Sequence, residues 1–217
     1  MPGVLKLEGT NIATGDGNGA ITINNATLGS AVTVPASVGG TRVLLEKYTA
    51  DNSTTAKVFD LSTYSESFEE YLFVINKLIP ASDNRELHVR LGSATNNIDS
   101  TSGNYRTSGL IQYFVSTSST GTNPVYLLNE MHRVYNIGGS TGEGLSGEIK
   151  MFGLRDSSVF TQSTFLVTNY YYGDSQETLL QGGIHQVAQD DKAVSFAIGG
   201  NGNWGSGTIT VYGVRNA

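Results

Sequence analysis

Ser146-Gly147-Glu148-Ile149-Lys150-Met151-Phe152-Gly153-Leu154 and Ser206-Gly207-Thr208-Ile209-Thr210-Val211-Tyr212-Gly213-Val214 follow one pattern, S-G-x-I-x-φ-aromatic-G-φ. Each alternates apolar and polar residues between glycines, the period-2 mark of a strand with one buried face. Ile149 and Met151 share a face, as do Ile209 and Val211. Phe152 and Tyr212 interrupt the alternation just before a glycine, as at a bulge or a bend at the strand end. Two such strands in one chain point to a layered β domain whose pieces obey one packing rule.

The same period recurs outward from these copies. Strands are expected at 42–46, 57–61, 70–79 and 86–92, with one helical turn near 65–70. The stretch 70–79 is the most apolar and reads as a central strand, with Pro80 ending it by removing a ladder donor. In 86–92, Leu87, Val89 and Leu91 face the core while Glu86, His88 and Arg90 face away. A polar loop at 93–103 precedes a strand at 105–116, and a second loop is expected at 117–123. Further strands read at 125–128, 133–137, 147–152, 164–172, 178–187, 193–198 and 207–214. About ten short strands separated by turn signals imply an all-β, antiparallel sandwich of jelly-roll-like form rather than alternating strands and helices.

Residues 1–40 differ in character. They are small, polar and glycine-rich, with Val4, Leu5 and Leu7 as one short apolar patch and weak alternation at 20–23 and 31–34. So few large apolar side chains cannot bury much alone. Residues 1–40 are therefore read as an arm and 41–217 as the sandwich domain, with Val4, Leu5 and Leu7 as the arm's candidate assembly contacts.

Composition narrows the function classes. Glycine supplies 27 of 217 residues, about 12% against a usual share of about 7%. Charged residues make up only 15%, so surface polarity falls to Ser, Thr and Asn, as suits a protein built into an assembly. The formal net charge is -6 and the 13 basic residues are scattered, which argues against a nucleic-acid partner. The chain has no cysteine, which excludes disulfides, thiolate chemistry and cysteine-based zinc sites. Neither a signal-peptide pattern nor a run of about 18 apolar residues is present. Synthesis in the cytoplasm and no membrane partner are the expectations.

Motifs that carry chemistry elsewhere read here as turns. Gly138-Gly139-Ser140-Thr141-Gly142 matches G-x-S-x-G, but a strand follows where a nucleophile elbow needs a helix. G-x-G-x-x-G occurs at Gly142-Gly144-Gly147 and Gly200-Gly202-Gly205, and neither copy opens a helix to cradle phosphate. Asp16-Gly17-Asn18-Gly19 lacks the further oxygen ligands of a calcium loop. His88, His132 and His185 have no metal-pair spacing. Glu69-Glu70 reads as the lead-in to the central strand and Asp190-Asp191-Lys192 as a hairpin turn. No catalytic residue, metal or cofactor is expected. Tyr170, Tyr172 and Trp204 are the candidate contact residues, because rigid rings carrying one polar atom suit interfaces. Alternation puts Tyr171 on the face opposite Tyr170 and Tyr172, and Trp204 falls in the glycine-rich stretch 199–205.

One long segment resembles a known group. Phe59-Asp60-Leu61, Tyr64, Glu69-Glu70-Tyr71-Leu72-Phe73, Pro80-Ala81-Ser82-Asp83, Leu87, Arg90, Asp99, Asn104-Tyr105 and the ending Gly207-Thr208-Ile209-Thr210-Val211-Tyr212-Gly213 resemble a class of tailed-phage and prophage proteins. Their pattern is Y-x-x-Y-x-F-x-x-x-n-l-x-P-A-t-D-x-x-x-L-x-x-R-x-S, with a closing G-x-I-x-L-Y-G. The likeness spans residues 59–213 and departs at Gly92, with Ser93 one place late. It implies a virion structural protein that decorates or cements the capsid exterior. Its partners would be the major capsid protein or tail and neck proteins, and copies of itself, a trimer being one arrangement. A tail or fibre module gripping host glycans is the alternative. No functional residue set carries over.

Overall fold

The computed structural model describes residues 4–7, 10–15, 21–23, 42–64, 68–115, 117–171, 175–200 and 202–215. The chain divides into two compact units between Val38 and Gly39. In the first, β1 (Val4–Leu7), β2 (Thr10–Gly15) and β3 (Ile21–Ile23) form an antiparallel sheet. The expected strand at 31–34, the loop 16–19 and the side chains of Val4, Leu5 and Leu7 lie outside the described residues.

The second unit is all-β. Its strands are β4 (Arg42–Thr49), β5 (Ala56–Asp60), β6 (Glu70–Pro80), β7 (Arg85–Ala94), β8 (Asn97–Ile98), β9 (Tyr105–Val115), β10 (Thr117–Leu128), β11 (His132–Ile137), β12 (Gly144–Phe152), β13 (Thr161–Tyr171), β14 (Ser175–His185), β15 (Ala193–Gly199) and β16 (Trp204–Val214). The larger sheet runs β4-β16-β6-β12-β13-β14-β9-β10, and the smaller runs β5-β15-β7-β11 with β8 folded back on β7. All pairings are antiparallel. The two layers join at a single bridge, Ile137 with Tyr171. They form the expected β-sandwich.

The two sequence copies, now β12 and β16, flank the same strand, β6. In both pairings the register shifts near Asn76–Leu78, where β6 carries one extra residue. Lys77 there adopts a left-handed φ of 46°, which a side-chain-bearing residue holds only at a cost. The Ser-Gly pairs absorb this bulge. The Lys77 N–H donates to Ser146 Oγ at 2.9 Å. A Cβ at Gly207 would collide with the Lys77 carbonyl, and Gly207 itself sits at φ 101°. The repeat thus encodes the accommodation of one bulge from both sides.

The expected interruption at the aromatic end is corrected. Phe152 keeps the alternation and points outward, 40% exposed, with regular pairing to Gln162 and Glu70. Near Tyr212 the irregularity belongs to β4, where Leu45 is the extra residue. Three other expectations change. Residues 93–103 are not one loop: Ser93 and Ala94 end β7, and β8 folds back on it before the chain turns irregular at Asp99. Residues 117–123 are not a loop but the first part of β10, paired with β9. The helical turn is a 3-10 turn at Leu61–Thr63, capped by Asp60, which accepts from the Ser62 N–H at 3.0 Å. Residues 65–67 lie outside the described residues.

The core lies between the layers. Phe73 of β6 meets Phe59 of β5 at 5.7 Å and Phe196 of β15 at 5.4 Å between ring centroids, and Phe59 meets Phe196 edge-on at 5.7 Å. Leu87, Val89 and Leu91 are fully buried, as alternation required. Glu86, His88 and Arg90 sit on the outer side, where Glu86 accepts from Arg133 at 2.6 Å. Burial at about 25 cal/mol per Å² of apolar surface drives this closure.

Trp204 corrects the sequence reading most directly. It is not a loop residue but the first residue of β16, fully buried, with Nε1 donating to the Phe196 carbonyl at 3.2 Å. Substituting Trp204→Ala should cost about 3–5 kcal/mol of stability, measured as a shift of the urea midpoint. Removing residues 1–38 should leave the melting transition of the 39–217 unit in place by circular dichroism. Loss of that transition would show that the sandwich does not fold alone.

Candidate functional site

The candidate contact residues do not converge. Trp204 is interior. Tyr170 lies on the outer face of β13, 38% exposed, while Tyr172 lies outside the described residues. The motif loops stay loops. Ser140, in the G-x-S-x-G stretch, is exposed, and its N–H donates to Glu143 Oε2 at 2.7 Å. Gly144 and Gly147 lie in β12 and Gly205 in β16, so neither G-x-G-x-x-G opens a helix.

The structure instead brings together polar groups that spacing did not flag. His185 ends β14. Its Nδ1 lies 3.0 Å from Asp191 Oδ2, and its Nε2 lies 3.0 Å from Asp99 Oδ2. The ring stacks on Tyr105 at 4.5 Å. Both carboxylates have further donors. Asp191 accepts from Thr161 Oγ1 at 2.7 Å and Gln189 Nε2 at 2.8 Å. Asp99 accepts from Asn104 Nδ2 at 2.7 Å and the Thr101 N–H at 2.8 Å. Burial opposes the charge on His185, but hydrogen bonds to Asp191 and Asp99 outweigh it and raise its pKa. Burial likewise opposes the Asp99 carboxylate, and its Asn104, His185 and Thr101 hydrogen bonds bring its pKa down to about 2. The cluster is a clasp: the His185 ring holds the Asp99 segment that follows β8 and the lead-in to β15 against the end of β14. Asp191, read from sequence as a turn residue, is fully buried within it.

A second cluster lies between β11, β13 and β14. His132 Nε2 sits 2.7 Å from Ser163 Oγ, and Nδ1 sits 3.3 Å from Gln181 Oε1. With Nδ1–H donating to the amide oxygen, Nε2 accepts from the serine. This is the hydrogen-bond order of a nucleophile, a base and an orienting group. Its setting differs from a working site. The imidazole is fully buried and stacked on Phe165 at 4.5 Å. Burial pushes its pKa down to about 3, leaving a weak base. The orienting group is an amide, which cannot stabilise an imidazolium as a carboxylate does. Ser163 is 5% exposed and faces the same interior. The arrangement satisfies polar atoms across the sandwich.

Other polar groups stitch the layers in the same way. Asn169 Nδ2 on β13 donates to the Tyr135 carbonyl at 3.1 Å and to Glu177 Oε1 at 3.4 Å. Burial raises the Glu177 pKa to about 7, against a small opposing effect of the Asn169 hydrogen bond. The Tyr105 hydroxyl donates to the Leu91 or Asp99 carbonyl, 3.2 and 3.0 Å away, and accepts from the Leu91 N–H at 3.0 Å. Thr107 Oγ1 donates to the Met131 carbonyl.

The outer face of the large sheet carries a different feature. Leu110, Leu166 and Leu180 are 55%, 47% and 51% exposed. They stand directly opposite one another across β13, β14 and β9. Period-2 alternation alone assigns each leucine to the outer face, but only the register puts all three in one row. No family model, curated protein or solved structure matches this chain.

The pKa shifts make signed predictions. Glu177, with a folded pKa above its unfolded value, contributes stability that is complete below about pH 4.5 and is lost as pH rises through about 7. Wild type should therefore lose up to about 3 kcal/mol relative to Glu177→Gln between pH 4.5 and 8, read from urea midpoints. His132 has a depressed pKa, so its contribution is complete above about pH 6.5 and falls as pH drops toward 3. In an NMR titration the His132 ring should stay neutral at pH 5, whereas His185 should stay protonated above its usual midpoint.

Proposed function

We propose that the protein is a non-enzymatic structural component of a tailed-phage particle, a decoration or cement protein on the capsid exterior. It works through shape and contact. Its partners are the major capsid protein and further copies of itself. The observation that carries this reading is the outer face of the large sheet, where three exposed leucines stand in a row on a rigid sandwich. Contiguous exposed apolar surface marks an interaction site. The resemblance of residues 59–213 to virion proteins supplies the setting. Low charge and buried, mutually satisfied polar clusters support the same reading.

The glycan-binding alternative rested first on Trp204, and the burial of that ring removes its principal aromatic platform. Tyr170 remains on the outer face, four residues along β13 from Leu166.

Mass spectrometry of purified particles, scaled to the major capsid protein, tests the proposal. A copy number comparable with that protein is expected. A small fraction of it would place the protein in the tail, neck or fibre and overturn the decoration role. Absence from particles would overturn the virion reading itself.

A further inference from the structure

The leucine row has a neighbour that explains its form. On the outer face of β12, β13, β14 and β9 one cross-strand row reads Glu148, Leu166, Leu180, Leu110. The adjacent row, two residues along each strand, reads Lys150, Thr164, Gly182, Ser108. The first row is a ridge of large side chains. The second, beyond Lys150, is a trough of small ones, and its Gly182 and Ser108 line a depression of about 390 Å³ together with Gln162 and Arg106. Ridge and trough run side by side across the strands.

Gly182 shows that the trough is not a by-product of internal packing. Its neighbour Gly183 faces inward, where a Cβ would collide with Met131, Ser163 and His132. At Gly182 a Cβ would meet open space, with only the Ser163 carbonyl oxygen at 3.9 Å, and its φ is not left-handed. A strand-interior glycine costs stability and marks places where something approaches the backbone closely. Nothing in the sandwich itself requires a glycine there.

We propose that this face binds a second copy of the chain, sheet on sheet, about a two-fold axis that lies between the two rows and runs across the strands. Such an axis exchanges ridge and trough. Leu180 of each copy then packs over Gly182 of its partner, Leu166 over Thr164, and Leu110 over Ser108. An isologous interface needs this property, that residue i meets j and j meets i.

The charges obey the same operation. Glu148 ends the ridge and Lys150 ends the trough, 3.9 Å apart within one chain. The axis sets Glu148 of each copy against Lys150 of its partner, twice over. The same exchange takes the Arg106 row onto the row holding Thr168, Thr178 and Gln112, so Arg106 meets the neutral Gln112. No like charges are opposed among these rows, and like-charge contact is what most strongly disfavours a wrong partner. The four strands are 9, 11, 11 and 11 residues long. At about 4.8 Å between strands and 3.3 Å per residue, they offer about 600 Å² per copy, or about 1,200 Å² in all. That reaches the lower bound of a stable interface.

The contact deepens the assembly role proposed above by naming one homo-oligomeric surface. Its test uses purified full-length protein and does not depend on where the protein resides in a particle. The natural absence of cysteine allows single-cysteine variants. Leu180→Cys and Gly182→Cys proteins, oxidised together, should give a disulfide-linked dimer that forms far less in either preparation alone. Wild type should sediment as a dimer or an even-numbered oligomer at micromolar concentration. Leu180→Lys should dissociate it while leaving the β-sheet circular dichroism spectrum unchanged, because the side chain is exposed within one chain, and its melting should no longer depend on protein concentration. Gly182→Gln, which fills the trough at a position with open space, should dissociate it too. A monomeric wild type, an unchanged mass for both variants, or equal cross-linking in the separate and mixed preparations would each overturn the proposal.

Discussion

Phe73 holds the two sheets together. It projects from the bulged strand β6 into the rings of Phe59 and Phe196, which belong to the opposite sheet. Around it the layers close with little help from backbone hydrogen bonding between the sheets, which among the described residues meet as paired strands at the Ile137–Tyr171 bridge. Closure therefore depends on apolar burial, which runs from Phe73 through Phe165, Val167 and Leu179, and on side-chain hydrogen bonds set within it. Trp204 extends the apolar contact and adds a hydrogen bond to the Phe196 carbonyl, so one residue serves both means.

The polar interior follows from that constraint. Away from the phenylalanines, the large sheet faces the small one with Ser163, Asn169, Glu177, Gln181 and His185, all buried. Burying such groups is tolerable only where they satisfy one another. His132 with Ser163 and Gln181, and His185 with Asp99 and Asp191, do so. They fix the geometry of the layers as a set of directional contacts, which apolar packing alone does not provide. The same residues, met in a sequence, suggest chemistry. In the fold the two histidines lie buried, and burial holds the His132 pKa down at about 3.

The two faces of the large sheet thus divide the work. The inner face is committed to the sandwich. The outer face of β12, β13, β14 and β9 is poor in charge and ordered into a ridge and a trough. Residues that spend exposed leucines and an unrequired glycine on one face are organised around what meets that face.

The sequence by itself determined the strand class, most strand positions and the facing of the side chains in regular stretches, because period-2 alternation is a local property of the pleated backbone. Leu87, Val89 and Leu91 against Glu86, His88 and Arg90 show how far that carries. It also exposed the repeat, but not its meaning. Only the tertiary structure showed that β12 and β16 embrace one bulge in β6, since strand neighbourhood is set by contacts far apart in the chain. For the same reason spacing could not bring His185 to Asp99, 86 residues away, or His132 to Ser163. Trp204 misled because surrounding glycines mark a turn locally, while its burial depends on a sheet that arrives from elsewhere. The leucine row is the clearest case. Each of its members is legible as outward-facing, yet Leu110, Leu166 and Leu180 become one surface only through register, which is a decision of the fold.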